Sequence, residues 1–61
     1  MTIHPSTQRQ ILDENLQIAR ITLVTIAGDV RHFSDRAADA IVEAVEKLDC
    51  ARREFAQVRP N

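Results

Sequence analysis

Apolar residues recur along this chain in two series with identical spacing. Leu12, Leu16, Ala19, Leu23, Ile26, Val30 and Phe33 form the first. Ala37, Ile41, Ala44, Leu48, Ala51, Phe55 and Val58 form the second, and the steps in each are 4, 3, 4, 3, 4, 3. On an α-helix that rhythm keeps one stripe apolar through successive heptads; on a strand it would scatter the same residues over both faces. Two stripes joined by a few residues predict an all-α fold, an antiparallel two-helix hairpin. It forms a single domain over 1–61, with helix 1 over about 6–32, a turn at about 33–35 and helix 2 over about 35–58.

Helix-end chemistry agrees with the spacing. Ser6 or Thr7 supplies an N-cap for helix 1, and Gln10, three residues beyond Thr7, fits a capping box. Ser34 caps helix 2 with Asp35 in its first turn, and Pro60 ends it. Asp13 and Glu14 fall early in helix 1 and Arg31 and His32 late; Asp35 and Asp39 fall early in helix 2 and Arg52, Arg53 and Arg59 late. The helix macrodipole favours that order. Arg9–Asp13, Glu43–Lys47 and Asp49–Arg53 are spaced i,i+4 for surface ion pairs. Gly28 interrupts the first stripe, but Val30 and Phe33 carry the stripe past it. A continuous helix holding a glycine at about 1 kcal/mol is therefore preferred to termination there. The competing reading makes Ile21 to Ile26, rich in β-branched residues, a strand, with Gly28-Asp29 as a hairpin turn.

A hairpin of 61 residues is short of core. A chain this small buries only about 60% of the surface its unfolded form exposes, and small domains generally rely on disulfides, a metal or another subunit. Cys50 is the only cysteine, which excludes an intrachain disulfide and a cysteine-rich zinc site. Two helices bury one stripe each, yet Ile18, Ile21 and Val24 widen the apolar surface of helix 1, and Ala38, Val42 and Val45 that of helix 2. Uncovered apolar surface of this extent marks an interface. The expected assembly is a homodimer of hairpins closed into a four-helix bundle, with the two series from Leu12 to Phe55 as its self-association seam. Ile18, Ile21, Val24, Val42, Glu43 and Glu46 are the candidate surface for a further protein partner.

In helix 2, Ala37, Ala44 and Ala51 alternate with Ile41, Leu48 and Phe55. Alternating small and large residues let helix layers interdigitate. In this pattern and in length the chain resembles the Rop-type plasmid RNA-binding proteins, short helical hairpins that dimerise with small and large residues in alternating layers. The likeness covers most of the chain as length and layer pattern and extends to no RNA-contacting residue. It implies a dimeric bundle and frames an alternative function, a dimeric RNA-binding regulator. Arg9, Arg20 and Arg31 recur every 11 residues, almost three helical turns, and would form a basic stripe for RNA phosphates. Asp13 shares that stripe, and no aromatic accompanies it to stack on bases.

Other chemistry is sparse. His32, Asp29 and Asp35 cluster near the turn, but no paired metal-ligand spacing accompanies them, so no metal or other cofactor is expected. Cys50 has no histidine near it in sequence and reads as a small, partly buried filler. No Gly-rich phosphate loop, nucleophile elbow or Ser/His/Asp set occurs, so no enzyme is expected. Asp35, Asp39, Glu43, Glu46 and Asp49 give helix 2 an acidic outer face. Residues 1–33 are neutral and residues 34–61 carry five basic and six acidic residues, so neither half is a polycation, which disfavours non-specific nucleic-acid binding. Residues 1–10 hold no apolar secretory core, and the longest apolar-looking run, Ile21 to Ala27, is far too short to span a bilayer. Cytoplasmic residence without membrane association is expected. The function that follows is a small regulatory or adaptor protein that self-associates and binds a protein target. The alternatives are the RNA regulator and one subunit of an obligate heteromer.

Overall fold

The computed structural model describes residues 4–58, and all regular structure among them is helical. Helix α1 spans Pro5–Val30, helix α2 spans Asp35–Gln57, and the two pack against each other as a hairpin. No strand occurs among the described residues, so Ile21 to Ile26 is helical. Residues 1–3, Arg59 and the expected helix stop at Pro60 lie outside the described residues.

Pro5 takes the first helical position, where a missing N–H is no loss and a fixed φ suits the helix. The Gln8 amide then donates to the His4 carbonyl at 3.0 Å. Helix α1 thus starts ahead of the expected cap at Ser6 or Thr7. Instead of closing a capping box, Gln10 Nε2 donates to Glu14 at 3.4 Å. Gly28 lies within α1, with no residue of the described chain in the left-handed region, so the helix passes through it. It ends at Val30, two residues short of the expected 32. The turn then tightens: the His32 and Phe33 amides donate to the Asp29 and Val30 carbonyls at 3.2 and 2.8 Å, an i,i−3 pattern. Ser34 is the N-cap of α2; its extended backbone (φ −157°, ψ 113°) lets Oγ accept from the Ala37 amide at 3.1 Å. At the other end the Val58 amide caps Phe55 O at 3.1 Å.

The line of contact between the helices is displaced from the expected one. On α1 the half-buried or buried residues are Arg9, Asp13, Leu16, Arg20, Leu23, Ala27 and Val30; on α2 they are Ala38, Ile41, Val45, Leu48, Asp49, Arg52 and Phe55. Leu16, Leu23, Val30, Ile41, Leu48 and Phe55 are therefore shared with the two series read from the sequence. Leu12, Ala19, Ile26 and Phe33, with Ala37, Ala44 and Ala51, are instead exposed. The physical reason lies in the link and the charges. Four residues, 31–34, join the helices, so the axes must approach closely beside the turn, and Ala27 and Ala38 are the small side chains that permit it. The same rotation brings Arg20 onto Asp49 and Arg31 onto Asp39.

The resulting core is thin. Ala27, Ala38 and Val45 are the only buried apolar residues among those described. The Cα trace of the hairpin measures 45 × 23 × 11 Å, the flat outline of two helices lying side by side. Its radius of gyration is 14.7 Å, against about 10.5 Å for a compact chain of this length. The molecule is a single layer of two helices, and stable domains are built from at least two packed layers.

Candidate interaction surfaces

Arg9 and Arg20 of α1 and Arg31, one residue beyond its end, do align, and each one is engaged by α2. Arg9 Nη2 donates to the carbonyls of Phe55 and Ala56 at 3.1 and 2.8 Å. Its guanidinium carbon lies 5.6 Å from the Phe55 ring centroid, in cation–π contact. Arg20 Nε meets Asp49 Oδ1 at 2.7 Å, with both side chains partly shielded. Arg31 reaches Asp39 at 3.1 Å and Asp35 at 3.4 Å. These contacts replace the i,i+4 pairs anticipated for Arg9 and Asp49, because the antiparallel neighbour offers a closer partner than the next turn of the same helix. An RNA phosphate would have to displace a carboxylate or a carbonyl from each guanidinium. Arg52 also faces the contact line, and its Nε is buried without a partner. Asp49 is the residue that sequence reasoning missed. Its signal was available, since in an antiparallel hairpin 20 + 49 and 31 + 39 give nearly equal sums and both pair opposite charges.

The helical repeat sorts the other side chains into faces. With Leu23 and Ala27 toward α2, Val24, Gly28 and Arg31 fall on one side of the contact line and Leu12, Ala19 and Ile26 on the other. Val24, Gly28 and Arg31 share a groove of about 410 Å³ with Val42, Glu46 and Asp49. The rows Leu12–Ala19–Ile26 and Ala37–Ala44–Ala51 therefore lie together on the opposite broad face. Between them run the half-buried rows Leu16–Leu23–Val30 and Ile41–Leu48–Phe55. No charged residue stands in any of the four rows. Among the described residues one broad face of the slab thus carries no charge in its four rows, and the other is laced with ion pairs around a small groove. Phe33, in the turn, is 92% exposed.

The residues expected to form one partner surface are divided between separate regions. Val24, Val42 and Glu46 line the groove on the ionic face. Ile18 and Ile21 lie on the outer edge of α1, away from α2, and Glu43 on the outer edge of α2. Each of these residues is exposed. Cys50 is a free thiol exposed on α2 rather than a partly buried filler, because the rotation of α2 that buries Val45 carries position 50 outward. Among the described residues no group of three or more His, Cys, Asp or Glu is placed to hold a metal ion, and no helix is long and apolar enough to cross a membrane. Comparison of the chain with protein-family models, curated proteins and solved structures finds no match.

Proposed function

We propose that this hairpin is a small non-enzymatic regulatory or adaptor protein of the cytoplasm. It self-associates through its uncharged broad face into a four-helix bundle and binds a protein target with the surfaces that the bundle leaves free. One observation carries the reading: four adjoining rows of apolar residues without a charge cover one side of a slab whose Cα trace is only 11 Å deep. A second layer of helices packs 8–10 Å from the first and removes that face from water at about 25 cal/mol per Å² of apolar surface. The opposite face needs no such cover, since Arg20, Arg31 and their carboxylates suit solvent. The free thiol of Cys50 suits a reducing compartment.

Native mass by light scattering, together with far-UV circular dichroism, tests the reading. A helical dimer that becomes monomeric with Ile26→Asp or Leu12→Asp supports it. A wild-type monomer with full helicity and sharp unfolding refutes it. A poorly helical wild-type monomer assigns the missing layer to another subunit.

A further inference from the structure

The outer edge of α1 is the second unusual surface. Ile18, Ile21, Thr22 and Thr25 lie along it, and no charge interrupts it between Glu14 and Asp29. Ile18 is 60% exposed and Ile21 56%. The outer edge of α2, by contrast, bears Arg36, Glu43, Lys47 and Glu54, as a solvated helix surface does. The two threonines on the α1 edge do not depend on water. Thr22 Oγ1 donates to Ile18 O at 2.9 Å and Thr25 Oγ1 to Ile21 O at 3.0 Å. Each hydroxyl proton is satisfied inside the helix, so an apolar cover over this edge strands no donor.

Charge identifies the occupant. Glu14 and Asp29 bracket the stripe, both exposed and about 22 Å apart along the axis. Asp29 stands in the last turn of α1, where the macrodipole favours a base, so helix stability does not account for it. Arg9, Arg20 and Arg31 are turned to α2 and do not offset these acids. A second copy laid antiparallel along the edge, centred between Ile21 and Thr22, sets Glu14 against Asp29 at both ends. Laid parallel, it sets each acid against itself. Like meets like in either sense, which disfavours self-pairing here.

We infer that this edge docks an amphipathic helix of a different chain, whose aliphatic stripe of about four turns ends in Lys or Arg on both sides. The inference rests on the adaptor reading for the existence of a partner, but its surface is separate from the uncharged broad face.

The test uses three synthetic peptides: an amphipathic helix with a leucine face and lysine at both ends of the stripe, its twin with glutamate there, and a scrambled control. Binding to the full chain is read by fluorescence anisotropy at low salt. The lysine peptide should bind about tenfold more tightly than its twin. The double variant Glu14→Lys with Asp29→Lys should invert that preference. Ile18→Asp should abolish binding, and the milder Ile18→Gln should weaken it, with helicity and native mass unchanged in both. Equal affinity for the two peptides, binding that survives Ile18→Asp, or uptake onto neutral lipid vesicles without discrimination between peptides overturns the inference. So does a fall in native mass on Ile18→Asp, because the edge would then belong to self-association. A monomeric wild type that still discriminates the peptides upholds the docking edge and refutes the dimer face, so the two readings fail separately.

Discussion

Ala44→Glu is the sharpest single perturbation of the uncharged face. Ala44 is exposed near the middle of α2, between Ala37 and Ala51 in one apolar row. In an isolated hairpin the change is close to silent. Glutamate is a good helix former, so the propensity cost is a few tenths of a kcal/mol, and Lys47 three residues on offers a surface partner. In a face-to-face bundle each copy brings one carboxylate into the same dry layer. Burying an unpaired ion costs several kcal/mol, so two cost on the order of 6–10 kcal/mol per dimer, a weakening of roughly 10⁴-fold or more. Size-exclusion chromatography with light scattering over a dilution series reads the mass, and thermal circular dichroism reads the helix. The variant should run as a monomer at concentrations where the wild type is dimeric. Cys50→Glu, the same charge on the exposed outer side of α2, should leave the mass unchanged. If Ala44→Glu keeps both the wild-type mass and the wild-type Tm, the uncharged face is not the self-association surface.

Three further outcomes concern the hairpin itself. Gly28→Ala should stabilise the chain by about 0.5–1 kcal/mol, since a Cβ built there meets nothing within 4 Å. Thermal unfolding should show a rise of about 2–8 °C, and a fall would reveal that another surface packs against the bare backbone. Ser34→Ala removes the side-chain bond to the Ala37 amide and should cost about 1 kcal/mol in chemical denaturation with an unchanged m-value. Arg52→Leu replaces a side chain whose Nε is buried without a partner by an aliphatic one on the line between Leu48 and Phe55. It should raise the denaturation midpoint by an amount equivalent to about 1 kcal/mol, and a marked loss would mean that Arg52 is held by a group outside the hairpin.

The helical hairpin was legible in the residues alone, because the 4, 3 spacing is a property of the chain and needs no partner to be recognised. The Ser34 cap and the passage of α1 through Gly28 were legible for the same local reason: both depend on groups within a few residues. The start of α1 was not, since Pro5 and Thr7 both satisfy the chemistry of a helix beginning. Cys50 was misplaced because its exposure depends on how α2 is rotated.

That rotation is what only the tertiary structure decided. Each helix carries two overlapping heptad stripes with one row in common: Leu16–Leu23–Val30 on α1 and Ile41–Leu48–Phe55 on α2. Periodicity reports which residues avoid water and is indifferent to which neighbour covers them. The four-residue link demanded small side chains beside the turn, and the pairing of Arg20 with Asp49 and Arg31 with Asp39 fitted one rotation. Together they turned Ala27, Ala38 and Val45 inward and left Leu12, Ile26 and the alanine row of α2 on an uncovered face. The chain by itself determined two helices and their apolar width. Interhelical distance and ion pairing, quantities that exist only once the helices meet, determined which part of that width became core and which became surface.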